Sequence, residues 1–336
     1  MSTLAVKPVA RVTLLLTFAC LLSRSTEAQV YQLAELRTDQ IRALDRAKTV
    51  ILIPGGILEE HGPYLPSYAD GYVNERLTAE LAAAIAQRPG WAAVVFPVIP
   101  LGSGGANEIG AKYSYPGTYA VRPATLRAVF MDLATEFGEQ GFRWILVIHR
   151  HGGPSHNRAL DEAGDYFRDT YGGRMVNLTG LLLEANPAKA ILTASLPNSA
   201  IAEDGFSVHA YLAEHSEVMA LRPDLVPPTV AKAPSITGKD FPDLMRIAGT
   251  EGWAGYFGAP RYASAELGRR LLEARNREFV SLALRILDGL DERQVPRYVA
   301  MVWNAPGIAA VMDSSAKRDA AVEERQQQWL AKRAKR

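Results

Sequence analysis

Residues 49–70 read TVILIPGGILEEHGPYLPSYAD. The stretch begins with an apolar run, Thr49–Gly56, which is typical of a strand that is buried on both faces of a parallel sheet. Glu59, His61 and Asp70 follow soon after the run. Functional side chains in such sheets gather just beyond the carboxyl ends of the strands. The stretch therefore predicts a parallel sheet and places a candidate site at the end of one strand.

The pattern of this stretch recurs along the chain, where further apolar runs are separated by segments with helical periodicity. The predicted strands are 49–56, 91–102, 143–153 and 173–180, and the predicted helices are Val73–Gln87, Ala124–Gln140, Asn157–Tyr171 and Ala263–Leu290. Continuous apolar strands that alternate with helices predict an α/β fold, in which a mostly parallel sheet is covered by helices on both faces.

The composition is that of an ordinary globular protein. The chain has 336 residues, of which 48% are hydrophobic, and its formal net charge is +1. This length and composition suffice for one large domain, which we assign to residues 29–312. The near-neutral charge gives no attraction to nucleic acid, so none is an expected partner. Residues 313–336 are polar and highly charged, which is typical of a solvated tail or a frayed helix.

Residues 1–28 have the pattern of a secretory signal peptide. Lys7 and Arg11 precede an apolar run, Val12–Leu22, and small residues lead up to Ala28. The pattern predicts cleavage after Ala28 and a secreted or periplasmic mature protein. The apolar run is short for a membrane-spanning helix, so we expect no stable membrane span after cleavage. An uncleaved membrane anchor is the alternative interpretation.

The chain has one cysteine and six histidines. Cys20 lies within the predicted signal peptide, so the mature protein has neither a thiol nucleophile nor a thiolate ligand. The histidines are clustered in three segments, each of which brings or lies near carboxylates. They are His61, His149, His151, His156, His209 and His215. A single histidine is usually a structural hydrogen-bonding residue, but this clustering indicates a site.

The first of these segments has the groups of a metal site. Glu59 and His61 are two residues apart, so in an extended loop their side chains point the same way. A carboxylate beside an imidazole is half of a site for a divalent metal. Pro63 and Pro66 stiffen the loop that leads to Asp70, which suits the fixed geometry of a metal site. A helix-capping acid beside a surface histidine is the alternative.

The other two segments supply further candidates. His151 follows a predicted strand, and the glycines at 152–153 leave room for a ligand, although a plain glycine turn has the same sequence. In the third segment His209 and Glu214 are candidates, whereas Glu217 fits a charged helix surface. All these groups offer oxygen or nitrogen, which favours Zn²⁺, Mn²⁺ or Fe²⁺. A metal that activates water, with a histidine that transfers a proton, is typical of a hydrolase.

Five segments, in order along the chain, resemble the motifs of the creatininase (creatinine amidohydrolase) family. The motif P-x-G-S-x-E-Q-H-G-P-H-L-P, with a later D, resembles Pro54–Asp70, and N-G-H-G-G-N resembles His149–Pro154. The remaining segments are Pro116–Thr118, His209–Val226 and Gly255–Gly268. Five ordered motifs are far more specific than any one of them.

The resemblance implies a three-layer α/β/α sandwich with a mostly parallel central sheet and a metal site at the strand ends. It also implies a homo-oligomer, which is common in the family. Members hydrolyse C–N bonds that are not ordinary peptide bonds, and the opening of the creatinine ring is one such reaction.

Residue roles follow from the same resemblance. The metal ligands carried over by position are Glu59, His61, Asp70 and His151. They would hold one or two divalent ions, with Asp70 as the bridge if two are bound. His209 matches a histidine that donates a proton to the leaving nitrogen, and Glu214 is a further candidate ligand or catalytic acid.

The sequence departs from the family pattern near the second motif. Gly153 stands where creatininase has a glutamate, so a second ion loses a ligand, which argues against creatinine as the substrate. Arg150, beside the candidate ligand His151, either pairs with a substrate carboxylate or phosphate or forms a plain salt bridge. His156 and Tyr64 are the other candidate substrate-binding residues.

The sequence therefore predicts a secreted, metal-dependent amidohydrolase with a small-molecule substrate. A metal-bound hydroxide would attack the carbon of a small or cyclic amide, and His209 would protonate the leaving nitrogen. Two alternatives stay open. One is a periplasmic binding protein that has kept the fold and lost catalysis, and the other is a metal-dependent lactone or ester hydrolase.

Overall fold

The computed structural model describes residues 29–334. Its strands are β1 (Val30–Gln32), β2 (Thr49–Pro54), β3 (Ala92–Val95), β4 (Trp144–Ile148) and β5 (Arg174–Asn177). They form one sheet in the order β1-β3-β2-β4-β5, and every neighbouring pair is parallel. The central strand, β2, is buried along its whole length, as its continuous apolar sequence predicts.

Helices connect the strands and continue after the last of them. The α-helices of the described residues are α1 (Thr38–Ala43), α2 (Ala69–Ala86), α3 (Pro123–Glu139), α4 (Pro154–Tyr171), α5 (Pro187–Ser195), α6 (Asn198–Asp204), α7 (Leu212–Leu221), α8 (Phe241–Gly249), α9 (Ala265–Leu287), α10 (Tyr298–Val302) and α11 (Ile308–Arg333). The four predicted helices correspond to α2, α3, α4 and α9, with ends that differ by a few residues.

Alternate residues of β2 face opposite cores. Val50 and Leu52 pack with α2 and α9 in one core, whereas Ile51 and Ile53 pack with α3 and α4 in the other. All four side chains are fully buried. Burial of each contributes about 1.5–3 kcal/mol relative to exposure, so both faces hold the sheet between helical layers. The predicted three-layer α/β/α sandwich is confirmed.

Two strands at one side of the sheet differ from the sequence pattern. The run 91–102 forms a strand only at Ala92–Val95, because Pro97 and Pro100 have no N–H to donate to a neighbouring strand. The edge strand β1 has three residues, which are too few to show a strand pattern in the sequence.

The C-terminal region is helical rather than a loose tail. The chain turns at Gly307, whose φ is 87°, and α11 then runs through position 313 without interruption. Ile308 and Ser315 are buried, while the residues after Val322 are exposed. The predicted boundary between residues 312 and 313 thus falls inside a helix, whose first turns are partly buried and whose distal part is exposed on all sides.

The predicted signal peptide, residues 1–28, lies outside the described residues. Within residues 29–334, no helix combines the length and the apolar character that a membrane span requires.

Candidate metal centre

The candidate site lies at the carboxyl ends of β2 and β4, which are neighbours in the sheet. Pro54 pairs in register with Ile148, so the loops that follow these strands leave the sheet side by side. Asn74 of α2 joins the two loops. Its Nδ2 donates to the carbonyl of Gly55 at 2.8 Å, and its Oδ1 accepts from the backbone N–H of Arg150 at 3.0 Å. This side chain fixes the spacing of the loops that carry the predicted ligands.

Glu59, Asp70 and His151 form the first group of candidate metal ligands. Nδ1 of His151 lies 3.1 Å from Oε2 of Glu59 and 3.2 Å from Oδ2 of Asp70. The other ring nitrogen of His151, Nε2, donates to the carbonyl of Gly104 at 3.0 Å. Because a carbonyl oxygen can only accept, this bond fixes a proton on Nε2 and leaves Nδ1 directed at the two carboxylates.

Glu59, His61 and His209 form the second group. The rings of His61 and His209 are 4.4 Å apart between centroids, and Nδ1 of His209 lies 3.7 Å from Oε1 of Glu59. Within each group the ligand atoms lie within 4.8 Å of one another. Glu59 is common to both groups, whereas Asp70 belongs to the first group alone. Glu59 is therefore the donor that the two candidate groups share, and the bridging role expected of Asp70 stays a prediction.

Burial and neighbouring imidazoles act in opposite directions on these groups. Burial alone raises the pKa of the Glu59 carboxyl, but His151, His209 and His61 outweigh it and hold that pKa well below its ordinary value. Burial alone lowers the pKa of His151, but Glu59 and Asp70 outweigh it and raise that pKa well above its ordinary value. The site thus keeps an ionised carboxylate in a dry interior, where it requires cationic neighbours.

The donor set fits a divalent cation. Oε2 of Glu59 is buried and makes no well-directed hydrogen bond within residues 29–334, because its neighbour at 3.1 Å, Nδ1 of His151, is directed at Oδ2 of Asp70. Buried polar atoms in proteins are nearly always satisfied. Buried carboxylates beside imidazoles are ligands that Zn²⁺ and Mn²⁺ accept in proteins. An ion between the two groups would satisfy this oxygen atom, so Glu59 is the central candidate ligand.

His209 and Glu214 are linked through one turn of backbone. Nε2 of His209 donates to the carbonyl of Glu60 at 2.6 Å. Burial lowers the pKa of His209, but the carboxylates of Glu59 and Glu60 outweigh it and raise that pKa to about 10. Glu214 accepts at 2.6 Å from the N–H of Ala210, whose φ of 47° is uncommon for a residue with a side chain. Glu214 therefore stabilises the turn that places His209.

Arg150 and Tyr64, two predicted substrate-binding residues, contact protein groups instead of the cavity. Arg150 donates to Oε2 of Glu217 at 2.7 Å, and Arg275 donates to Oε1 of the same carboxylate at 2.6 Å. The salt-bridge alternative for Arg150 is therefore the one that the structure shows. Glu217, expected on a helix surface, is 1% exposed because α7 packs against α9. Tyr64 packs edge-on against Tyr256, with ring centroids 5.7 Å apart.

His149 and His156 form a buried pair behind the site. Their rings stack at 5.8 Å, and His149 also meets Phe130 edge-on. Nδ1 of His156 accepts from the backbone N–H of Ser103 at 3.3 Å. Burial and the charge of His151 lower the pKa of His149 to about 3, and the same causes hold the pKa of His156 well below its ordinary value. Burial thus disfavours a charge on either ring, and His156 does not line the cavity.

Gly153 is enclosed by the groups around it. A Cβ atom at this position would lie 2.7 Å from Nε2 of His151 and 2.8 Å from the carbonyl oxygens of Gly104 and Ser103. These distances are shorter than any ordinary carbon contact. The position at which creatininase carries a glutamate therefore has no room here for any side chain.

A cavity of about 190 Å³ opens beside the candidate ligands. The predicted residues that line it are Glu59, Asp70, His151, His209 and Glu214. Three further lining residues, Glu108, Tyr298 and Ser315, were not among the candidates. The GSGG sequence that shortly precedes Glu108 follows a predicted strand, so the strand-end rule offered a signal for it. Tyr298 and Ser315 lie beyond the family motifs and offered none.

Comparison with known proteins identifies one family. The family model described as creatinine amidohydrolase matches residues 34–283. Two curated relatives are named mycofactocin precursor peptide peptidase. The relative from Mycolicibacterium smegmatis is 30% identical over 125 residues, which are 35% of this chain and 45% of the relative. The relative from Mycobacterium ulcerans is 28% identical over 144 residues, which are 39% of this chain and 52% of the relative. The chain spans about half the length of the curated relatives it matches.

Solved structures of creatininases share the fold. A crystal structure of creatinine amidohydrolase (creatininase) has a TM-score of 0.57 at 21% identity, over 78% of this chain and 98% of that one. A structure named creatininase Mn has a TM-score of 0.53 at 22% identity, over 78% of this chain and 99% of that one. A creatininase variant of Zn-Zn type has a TM-score of 0.51 at 21% identity, over 76% of this chain and 97% of that one. At these identities the likeness shows the fold alone.

Proposed function

The chain belongs to the creatininase family of hydrolases, and we propose that it is a metal-dependent amidohydrolase. The observation that carries the proposal is the buried carboxylate of Glu59, which is shared by two groups of candidate ligands and has one oxygen without a well-directed hydrogen bond within residues 29–334. The names of two creatininase structures mention manganese and zinc, which supports a metal of that class.

The residues of the chain take the following roles in this proposal. Glu59, Asp70 and His151 would hold one divalent ion, and Glu59 and His61 would be the donors available to a second, with His209 beside them kept for proton transfer. When bound, such a cation supplies a Lewis acid that lowers the pKa of water and polarises a carbonyl group. Asn74 keeps the ligand loops at their spacing.

Amide hydrolysis joins the oxygen of water to the acyl carbon, breaks the C–N bond and transfers a proton to the departing nitrogen. His209 lines the cavity, and its Nε2–H is held by the Glu60 carbonyl, so Nδ1 is the nitrogen from which a proton can be transferred. It is the histidine that we propose as the donor to the departing nitrogen. Glu214 lines the same cavity and orients His209 through the turn at Ala210.

Two substrate classes follow from two observations. A small or cyclic amide is the first candidate, because the cavity of about 190 Å³ has room for a small group. A peptide bond in a peptide substrate is the second candidate, because two relatives are named as peptidases of a precursor peptide. A panel of lactams, primary amides and short peptides, assayed with zinc-loaded and manganese-loaded protein, distinguishes the two classes.

The decisive experiment measures metal content and amide hydrolysis in the same samples. We expect about one or two equivalents of zinc or manganese per chain by elemental analysis and native mass spectrometry. Glu59→Gln, which keeps the shape of the side chain and removes its charge, is expected to abolish both metal retention and turnover. The matched control is Glu273→Gln, at an exposed position of α9, which is expected to change neither.

Metal retention and turnover at the wild-type level in Glu59→Gln would contradict the assignment. His151→Ala and His61→Ala then separate the two groups. His151→Ala is expected to remove the ion held with Asp70, whereas His61→Ala leaves that group intact.

We also propose that the chain is exported and assembles into a homo-oligomer. The sequence pattern of residues 1–28 supports export, and intact-mass analysis of protein from the periplasmic fraction is expected to show a chain that begins at Gln29. The family resemblance supports assembly, which light scattering of the mature protein tests. A full-length chain in the membrane fraction, or a monomer, would contradict the respective proposal.

A further inference from the structure

One wall of the cavity is built by residues that follow the stretch matched by the family model. The match to the family model ends at residue 283. Side chains from residues 298–315, which we call the C-terminal wall, line the same cavity as the candidate ligands. The wall consists of α10, the turn at Gly307 and the first turns of α11. The family motifs therefore do not determine the shape of this side of the cavity.

Hydrogen bonds fasten the wall to the loops of the site at both ends. The hydroxyl of Tyr298 donates to the carbonyl of Gly152 at 3.0 Å, next to the candidate ligand His151. The hydroxyl of Ser315 donates to Oε2 of Glu108 at 2.5 Å. The wall is thus held against the site rather than merely adjacent to it.

The surface that the wall turns toward the cavity is apolar. The wall contributes Val302, Ile308, Val311 and Met312. Phe206 and Val208 line the same cavity from the segment before α7, and they are 42% and 38% exposed. Large apolar side chains that stay exposed around a cavity with a few convergent polar groups are typical of a ligand-binding surface.

The charged side chains that line the cavity are acidic, apart from its histidines. They are Glu59, Asp70, Glu108 and Glu214, and no lysine or arginine within residues 29–334 lines it. Arg150, the predicted partner of a substrate anion, is bound to Glu217. The imidazoles of His151 and His209 already face the carboxylates of Glu59 and Asp70. A negatively charged group against the C-terminal wall would therefore lose its hydration without gaining a lysine or arginine partner.

We propose that the C-terminal wall selects the substrate by binding a neutral, apolar group attached next to the scissile amide. A branched aliphatic chain or a single aromatic ring fits the space, because a cavity of about 150 Å³ already holds benzene. The amide part of this statement rests on the proposed function, whereas the apolar part rests on the wall alone.

The test compares hydroxamates, which bind metal through a common head and differ in the group attached to it. Calorimetry on the zinc-loaded protein gives Kd values for acetohydroxamate, isovalerohydroxamate, phenylacetohydroxamate and the monohydroxamate of succinate. We expect the isobutyl and benzyl compounds to bind about tenfold more tightly than the methyl compound. The carboxylate compound is expected to bind no more tightly than the methyl compound. Equal Kd values across the series overturn the proposal.

Two methionines of the wall form a matched pair of test positions. Met312 lines the cavity, whereas Met301 is 58% exposed and does not. Met312→Asp is expected to reduce the tenfold preference to about twofold or less, and Met301→Asp is expected to leave it unchanged. If circular dichroism shows that Met312→Asp does not fold, Met312→Ala replaces it, with an expected loss of about threefold in preference. An unchanged preference in Met312→Ala contradicts the role of the wall.

A measurement on metal-free protein separates this proposal from the proposed function. Saturation-transfer NMR with phenylacetamide is expected to show contact with the wild type and with Met301→Asp, and much less with Met312→Asp. That result supports the wall even for a protein that takes up no zinc, which would defeat the proposed function alone. Phenylacetamide contact that does not depend on Met312, or no contact at all, overturns the wall and leaves the metal site untouched.

Discussion

Two buried glutamates, Glu59 and Glu217, have different cationic neighbours in this protein. Each is 1% exposed, and in each case burial raises the carboxyl pKa while cationic neighbours outweigh burial and lower it. Glu217 lies between Arg150 and Arg275, which donate to both of its oxygens. Glu59 lies among three histidines, and its Oε2 makes no well-directed hydrogen bond within the described chain.

The neighbours decide what each carboxylate can do. Arginine keeps its proton at any ordinary pH and offers no lone pair to a metal, so Glu217 is part of a closed structural ion pair. Histidine can give up a proton and bind a metal, so Glu59 remains available as a ligand. Burial and charge alone therefore do not mark the functional site, and the identity of the cationic partner does.

Removal of the structural carboxylate has the largest expected effect on stability. Glu217→Gln leaves Arg150 and Arg275 buried without a countercharge, which is expected to lower the free energy of unfolding by about 3–5 kcal/mol. Urea denaturation measures the loss. Glu273→Gln on the exposed side of α9 is the control, with an expected change of about 0.5 kcal/mol or less. A loss below about 1 kcal/mol would show that the pair is not needed.

Metal removal has the next largest effect, and it acts on the Glu59 region. At a free zinc concentration one hundred times the Kd, binding adds about 2.7 kcal/mol to the free energy of unfolding, and a chelator removes it. The chelator is expected to leave the free energy of unfolding of the Glu59→Gln variant unchanged, because that variant binds no ion to lose. Thermal unfolding with and without chelator measures both. Equal shifts in the wild type and in Glu59→Gln would place the stabilising ion elsewhere.

Asp161 of α4 is a third carboxylate that is largely buried, but its cationic neighbour does not fully offset the cost of burying its charge. Its side chain is 10% exposed, and its nearest cation, Arg297, lies 3.8 Å away. Burial raises the pKa of Asp161 from 3.8 to about 6, against the opposing effects of Arg297 and Asn177. The folded protein thus holds this proton more tightly than the unfolded chain, so stability is lost as pH rises from about 4 through 6.

Asp161→Asn removes this titration and should stabilise the protein by about 2 kcal/mol at pH 7, with no gain at pH 4. Nδ2 of Asn177 still has an oxygen to bind in the variant. Urea denaturation at several pH values measures the difference between variant and wild type. A difference that does not change with pH would show that Asp161 is ionised in the folded protein throughout this range.

The smallest expected effect concerns strain at Ala210. This residue has a left-handed conformation while its N–H donates to Glu214. Ala210→Gly is expected to raise the free energy of unfolding by about 0.5–1 kcal/mol, because glycine adopts this conformation without steric cost. Differential scanning calorimetry of the wild type and of Ala210→Gly measures the difference. A loss of stability would mean that the alanine is not strained.

The sequence predicts the parts of the site that are local in the chain. The apolar run Thr49–Pro54 and the acids and histidine after it are adjacent in sequence, so strand periodicity and the strand-end rule find both together. The same rule applied to β4 finds His151. Neighbouring parallel strands then bring the two loops side by side, which requires no knowledge of side-chain packing.

The remaining parts depend on contacts between distant segments. Whether Arg150 meets a substrate or a carboxylate depends on Glu217, which is 67 residues away in the chain and is buried by the packing of α7 against α9. Ser315 reaches Glu108 across 207 residues. Hydrophobic periodicity gives the existence of a helix but not its docking position, so neither contact has a signal in the sequence.

Gly153 has a consequence for attempts to redesign this chain. A glutamate, which the creatininase motif has at this position, cannot be introduced by one substitution, because His151 and the carbonyl groups of Gly104 and Ser103 occupy the space that its Cβ atom needs. The substitution would displace a candidate ligand before it gained an ion. An engineer who wants a different specificity would therefore change the C-terminal wall and leave the ligand loops as they are.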